Sequence, residues 1–447
     1  MRAVHVARVL VGLAMPSLAL AQVPAQLTLD DALSIARTRN PAYLRAVALA
    51  DASGAEVRAG FGAFLPSLSA NLSWSGNSRT IITGEDDFGQ PVRLPDPLTF
   101  RSSAASQSVS SSLVLFDGLQ NFNSWRAARA GASAAVEGVS YQAAAIDAEV
   151  SRRFYTALQA RRLIEVEEQL LSVSRQQLDA TERLFRVAAR TEVDVLGAQV
   201  QVAQQEQELE RARGEARKAE LRLAEQMGLD EGAEFEVIGA LPPPFNPALL
   251  SQDSLLARAT LQSPRIGQAA ANAAEAQFAA RAARGRRWPS VSARASFGRG
   301  ISLSSYDALF DFNPQDRSFG FGIDVQVPLF TGFQTSLAIA QANAQAEIAD
   351  ENLREARLLL ERDVQSAHID LVTAHRRLEL AQRAVEFSRR RLTMAQQQYQ
   401  LGTIGFTEFQ QIVTSASQDA RSLISAELEF AQAAVTMEEL VGEAVRP

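Results

Sequence analysis

The stretch FGFGIDVQVPLFTGF, Phe319–Phe333, decides the fold class. From Phe319 to Val327 large apolar residues alternate with glycine, aspartate and glutamine, which is typical of a strand with two different faces. The same alternation begins at Leu68 and Val291, and it is weaker between Val109 and Leu115. We predict four strands, at about residues 65–76, 105–116, 288–300 and 318–330.

The composition of these strands favours a membrane sheet. A half-buried sheet of a soluble protein shows the same alternation, but here the polar face consists mostly of serine and glycine, as a wet lumen lining would. Aromatic residues also lie near the predicted strand ends, as they do at the interfaces of membrane barrels. They are Trp74, Phe100, Phe116, Trp288, Phe319 and Phe330.

The chain contains one unit twice. FLPSLSANLSW at Phe64–Trp74 recurs as RWPSVSARASF at Arg287–Phe297, and LFDG at Leu115–Gly118 recurs as LFTG at Leu329–Gly332. Two constant offsets, 223 and 214, indicate a duplication with one length change. We predict tandem helix–strand–strand–helix repeats at 22–228 and 253–447, with a proline-rich linker at 229–252.

Long helices are predicted on either side of the strands. Gln120–Ala189 lacks proline, and Gln334–Leu401 lacks both proline and glycine, so each can form a helix of roughly 100 Å. Shorter helices are predicted at Leu29–Phe64, Glu192–Met227, Asp253–Arg287 and Thr407–Glu443. The first long helix carries two adjacent heptad seams, which predicts neighbours on both sides. One seam runs through Leu163, Val166, Leu170, Val173, Gln177, Ala180, Leu184 and Val187, and the other through Ala157, Ala160, Ile164, Glu167, Leu171, Ser174, Leu178 and Thr181.

The first 21 residues have the pattern of a secretory signal peptide. Arg2, His5 and Arg8 precede an apolar run from Val9 to Ala21 that ends in Ala-Leu-Ala. We predict cleavage after Ala21 and export. No later stretch resembles a transmembrane helix, so we expect any membrane crossing to use strands.

Composition excludes several function classes. The 447 residues include no cysteine, which excludes disulfides, thiolate chemistry and an N-terminal acylated cysteine. The net charge of −7 argues against nucleic acid as a partner. His368 and His375 share a helix face without the HExxH frame of a zinc enzyme. We predict no catalytic residues, no metal site and no cofactor.

Four strands cannot close a barrel, and a bilayer leaves no strand edge unpaired. Several chains must therefore share one barrel if the sheet lies in a membrane. Two chains would give eight strands and a filled lumen, whereas three would give twelve and an open bore. The small residues of the polar face favour the trimer.

These features together resemble the TolC-like outer-membrane efflux channels. The duplication, VPLFTGF at Val327–Phe333 and YQLGTIGFTEF at Tyr399–Phe409 occur in the order expected for that family. The resemblance implies a homotrimer with a 12-stranded β-barrel in the lipid of the Gram-negative outer membrane and a 12-helix periplasmic α-barrel. It also implies a periplasmic adaptor (membrane fusion) protein and an inner-membrane pump of the RND, ABC or MFS class.

The resemblance also assigns site residues. The family's Y-x-x-G-x-x-x-x-x-D pattern falls on Tyr399, Gly402 and Glu408, and its first copy falls on Phe185, Ala188 and Asp194. It implies a periplasmic gate at Asp194 and Glu408, although both also suit a carboxylate at a helix start. The residues implied at the tip turns and adaptor contacts are Val187, Ala188, Ala189, Leu401, Gly402 and Thr403. The strand–helix junctions are Phe116, Gly118, Phe330 and Gly332, and a second acidic position of some family members is occupied by Gly197 and Gln411.

Three other functions remain open at the level of sequence. Small-molecule efflux and type I protein secretion use the same kind of duct. A structural surface coiled-coil trimer predicts one seam per helix and no duplicated strand pairs. A periplasmic adaptor predicts one helical hairpin with compact β domains. The duplicated strand pairs and double seam argue against the surface trimer and the adaptor. Sequence does not separate efflux from secretion, and the preference for efflux rests on its frequency in the family that the chain resembles.

Overall fold

The computed structural model describes residues 24–85, 88–230 and 234–445; the predicted signal peptide, residues 1–21, lies outside them. The helices are α1 Leu29–Arg39, α2 Pro41–Gly62, α3 Gln120–Arg186, α4 Glu192–Met227, α5 Gln252–Gln262, α6 Pro264–Gly285, α7 Gln334–Gln400 and α8 Phe406–Val441. The strands are β1 Gln26–Leu27, β2 Ser67–Glu85, β3 Pro91–Phe116, β4 Glu236–Val237, β5 Ser290–Leu303 and β6 Asp316–Gln326.

The element order confirms a mainly helical fold with a small sheet and two tandem helix–strand–strand–helix repeats. α3 and α7 each have 67 residues, and α4 and α8 each have 36. In the part of the chain that the structure describes, no helix combines the length and apolarity needed to cross a membrane.

Two of the predicted shorter helices are broken. The prediction of single helices at 29–64 and 253–287 was wrong, because Asn40 and Ser263 are extended, with ψ of 122° and 113°. Each of these residues precedes a proline, whose ring disfavours the helical conformation of the residue before it. The two prolines then begin α2 and α6, where a missing backbone N–H costs nothing.

The main sheet has the strand order β2-β3-β5-β6, and all its neighbours are antiparallel. β2 and β3 extend well beyond the predicted segments, to Glu85 and back to Pro91. The pairs in this extension mix polar and apolar residues, such as Thr80 with Thr99 and Ile81 with Leu98, and they carry no period-two signal. β6 ends at Gln326, short of the predicted end, since Pro328 has no N–H for the ladder.

Cross-strand register gives this sheet two faces. Ala295 pairs with Phe321 and Ala293 pairs with Ile323, so apolar side chains share one face, on which Phe321 is 84% exposed. On the opposite face serine hydroxyls pair across the strands, as between Ser69 and Ser110 at 2.8 Å and between Ser73 and Ser106 at 2.7 Å. We call these the apolar face and the serine face.

The described chain divides into two compact units. The helical unit comprises the residues up to Asn40, Asp147–Pro244 and Ala374–Val435, and the sheet unit comprises Pro41–Ile146, Phe245–Thr373 and the residues from Thr436. Each unit takes residues from both repeats, so the compact units are not the repeats. Part of the predicted linker belongs to the helical unit, where β4 pairs in parallel with β1.

Within the helical unit the two seams of α3 differ in burial. Most of the seam that includes Glu167, Leu171 and Thr181 is buried, whereas the seam that includes Val166 and Leu170 is only half-buried. The half-buried seam leaves an apolar stripe available for a further helix.

Candidate functional site

The two predicted tip turns have the same backbone geometry. The first turn, residues 187–191, joins α3 to α4, and the second, residues 401–405, joins α7 to α8. In the first, the Ala188 N–H donates to Phe185 O and the Ala189 N–H donates to Leu184 O, both at 2.9 Å. The corresponding bonds of Gly402 and Thr403 are 3.0 and 2.9 Å long. This is the Schellman arrangement, which satisfies the last carbonyls of each helix.

Ala188 preserves this turn despite replacing the glycine of the pattern. Its φ is +58°, in the same left-handed region as the +73° of Gly402. A residue with a Cβ pays about 1–2 kcal/mol for that conformation. The first turn is therefore strained relative to the second, although both have the same hydrogen bonds.

The two predicted gate carboxylates occupy the first turns of α4 and α8, in different local environments. Asp194 Oδ2 accepts hydrogen bonds from the Thr191 N–H at 3.0 Å and from Thr191 Oγ1 at 2.9 Å, which forms a capping box. Glu408 is exposed and makes no hydrogen bond to another described residue. Asp194 thus has a structural role in starting α4, and Glu408 projects from the helix without one.

Arg190 connects the two turns, and the sequence pattern did not identify it. Its guanidinium lies 4.4 Å from the centre of the Tyr399 ring, and Nη2 donates to Ile404 O at 3.0 Å. The Tyr399 ring stacks on Phe409 at 4.9 Å, and its hydroxyl lies 3.1 Å from Thr181 Oγ1. The one sequence signal for Arg190 was its place in a turn, and an arginine in a turn is usually interpreted as a solvated charge.

Gly197, where some family members have a second carboxylate, serves packing. A Cβ at this position would lie 2.8 Å from Cε1 of Phe406, which belongs to the cluster around Tyr399 and Phe409. The corresponding Gln411 is exposed. The missing second carboxylate therefore coincides, in the first repeat, with an aromatic contact between α4 and α8.

A buried ionic group lies further along the helical unit. Glu167 on α3 is 2% exposed and accepts hydrogen bonds from Nε and Nη2 of Arg421 on α8 at 2.7 and 2.8 Å. Gln205 on α4 donates to the same carboxylate. The hydrogen bonds with Glu167 raise the pKa of Arg421 above its usual value. We call these three residues the Glu167 cluster, and it joins α3, α4 and α8. Heptad spacing placed Glu167 in a seam of α3 but did not reveal its partners.

The predicted strand–helix junctions lie in the sheet unit. Gly118 and Gly332 both have positive φ, at +69° and +58°. A Cβ on Gly118 would lie 2.4 Å from Gly285 O, whereas a Cβ on Gly332 would meet nothing within 4 Å. Phe116 and Phe330 are both exposed, at 42% and 78%. The two junctions have the same left-handed glycine conformation, but their packing environments differ.

Comparison with known proteins places this architecture in a family. The family model described as "Outer membrane efflux protein" matches residues 32–229 and 255–443. Protein CyaE of Bordetella pertussis is 26% identical over 353 residues, which cover 78% of this chain and 70% of CyaE.

Two solved structures have a similar fold. A membrane protein from Pseudomonas aeruginosa has a TM-score of 0.76 at 20% identity, with 93% of each chain covered. The Campylobacter jejuni CmeC outer membrane channel has a TM-score of 0.77 at 14% identity, with 94% of this chain and 87% of CmeC covered. The chain belongs to the outer membrane efflux protein family, and it is an outer-membrane efflux duct with a periplasmic extension.

Proposed function

We propose that three copies of the chain form one passive exit duct for small molecules, without catalytic activity of its own. A periplasmic adaptor protein and an inner-membrane RND, ABC or MFS pump would deliver the substrate and supply the energy. The observation that carries this proposal is the four-stranded sheet, whose edge strands β2 and β6 have no further strand partner among the described residues. An apolar face of this kind lies stably in lipid only when its edges are paired by other chains.

The oligomeric state is tested by light scattering of the protein in detergent. We expect the mass of three chains after the detergent contribution is subtracted. A mass of one or two chains would refute the trimer.

The adaptor and pump are tested by crosslinking in cells. A photoreactive residue in place of Leu401, which is 78% exposed, should crosslink to a periplasmic adaptor. The matched control is the same photoreactive residue in place of Leu329, which is 93% exposed near the predicted strand–helix junction. This control should not crosslink to the adaptor. The pump recovered with the adaptor then identifies the pathway, and an ATP-driven protein secretion partner would overturn the assignment to small-molecule efflux.

We also propose that Asp194 and Glu408 form the periplasmic gate of the trimer. Three copies of each carboxylate at a constriction would repel one another and attract cations. Since Asp194 also caps α4, alanine would disturb the turn as well as the charge. The paired change Asp194→Asn and Glu408→Gln removes the charges and keeps a side-chain oxygen for the cap.

The double variant should raise single-channel conductance in a planar bilayer and reduce cation selectivity. Glu192→Gln, an exposed carboxylate in the same first turn of α4, is the matched control and should leave both unchanged. Wild-type conductance and selectivity in the double variant would assign Asp194 and Glu408 to helix capping and solvation alone.

A further inference from the structure

The segment between β5 and β6, residues 304–315, folds back over the main sheet, and we call it the strap. Side chains of β2 and β3 hold its backbone by hydrogen bonds. Trp74 Nε1 donates to Asp311 O at 3.0 Å, and Ser103 Oγ donates to Ser305 O at 2.6 Å. Ala308 of the strap is fully buried. The strap is therefore packed against the sheet along its length.

Register identifies the face that the strap covers. Trp74 pairs with Ala105, and Ala105 pairs with Ile301. Counting along β5 in steps of two residues leads from Ile301 to Ala295, which pairs with Phe321. Directly paired residues lie on the same side of a sheet, so the strap lies on the apolar face and not on the serine face.

The strap provides partners for two polar side chains of this face, Arg299 and Gln107. Arg317, which pairs with Arg299 in register, lies on the same face and is exposed. Arg299 donates from Nη1 to Asn313 Oδ1 and from Nη2 to Gln107 Oε1, both at 3.0 Å. Gln107 in turn donates from Nε2 to Phe312 O at 2.7 Å. An arginine and a glutamine facing hydrocarbon without partners would cost several kcal/mol, about the cost of burying unpaired polar groups. The inner side of the strap thus satisfies polar groups that lipid cannot.

The outer side of the strap is aromatic. The side chains of Phe310 and Phe312 are 67% and 69% exposed, and Tyr306 is 42% exposed. The Phe312 ring packs against Trp74 at 5.3 Å, which continues the apolar face outward over the covered polar pair. Aromatic residues of this kind concentrate where a membrane barrel meets the lipid interface.

We propose that the strap is a membrane-contacting element, which shields Arg299 and Gln107 and presents Phe310 and Phe312 to outer-membrane lipid. The aromatic outer side of the strap is continuous with the apolar face of the main sheet, and the chain belongs to an outer-membrane family. The opposite arrangement, with the strap inside the lumen, would place both rings in the aqueous path and the serine face against hydrocarbon.

The test uses the absence of native cysteine. Phe310→Cys and Phe312→Cys are each spin-labelled in the full-length protein, reconstituted in vesicles of phosphatidylcholine and phosphatidylglycerol. Collision rates with oxygen, which concentrates in lipid, are compared with those of a water-soluble nickel complex. Phe321→Cys provides the lipid reference on the apolar face, and Ser106→Cys provides the aqueous reference on the serine face.

Labels at positions 310 and 312 should have an oxygen-to-nickel collision ratio close to that of the Phe321→Cys label and above that of the Ser106→Cys label. Ratios equal to that of the Ser106→Cys label would overturn the proposal and place the strap in water. Phe312 contacts Trp74, so if Phe312→Cys does not assemble, the label at position 310 decides alone.

Discussion

Removal of the Arg421 guanidinium should destabilise the helical unit far more than its partial exposure suggests. The Glu167 side chain is 3% exposed, whereas that of Arg421 is 31% exposed. Arg421→Met leaves a buried carboxylate with Gln205 as its remaining partner. Losing one member of a buried ion pair costs about 3–5 kcal/mol. Because Arg421 is partly solvated, we expect the lower end, a loss of about 3 kcal/mol in the free energy of unfolding.

The same reasoning predicts that a second substitution rescues the first. Glu167→Met together with Arg421→Met leaves no buried charge, and apolar replacements of buried pairs are often neutral or stabilising. Only the Gln205 amide then loses an acceptor, at about 1 kcal/mol. The double variant should therefore be more stable than Arg421→Met alone.

Urea unfolding of the detergent-solubilised protein, followed by far-ultraviolet circular dichroism, measures these differences. The control is Arg390→Met, which breaks an exposed pair with Glu386 and should cost less than about 1 kcal/mol. A loss below about 1 kcal/mol for Arg421→Met, or a double variant no more stable than Arg421→Met alone, would refute the reasoning.

Three further predictions concern the turns and junctions. Arg190→Ala removes the hydrogen bond to Ile404 O and should speed limited proteolysis within residues 401–405. Arg186→Ala, at the exposed last residue of α3, is the control and should leave the cleavage rate unchanged. Equal cleavage rates in the two variants would contradict the role of Arg190. Ala188→Gly relieves the positive φ and should raise the free energy of unfolding by about 1 kcal/mol in urea, and a loss of stability would show that the turn is unstrained. Gly118→Ala should reduce the amount of assembled trimer in the outer membrane sharply, because its Cβ would strike Gly285 O. Gly332→Ala carries only the cost of the positive φ, about 1–2 kcal/mol, and should assemble in larger amounts. Equal amounts of the two variants on gel filtration would contradict the contact with Gly285.

Local patterns predicted much of this fold. The 67-residue helices could be predicted because they lack helix breakers, and the centres of the strands could be predicted because alternation is a local property of the backbone. The breaks at Asn40 and Ser263 also have a local signal, because each of these residues precedes a proline. The helical periodicity on both sides obscured that signal. The family motif predicted turns at residues 187–191 and 401–405, and their shared backbone geometry extends to Ala188 despite its Cβ.

The sequence by itself determined the repeats, the two-faced strands and the placement of glycine at the turns, because each depends on residues close together in the chain. Only the tertiary structure brought Arg190 to Tyr399, Arg421 to Glu167 and residues 304–315 onto the apolar face. These contacts join residues far apart in sequence, and an arginine in a helix or turn has the same local pattern whether it is solvated or buried against a partner. The physical reason is that pairing of charges and covering of polar groups depend on the environment created by packing, which no local periodicity records.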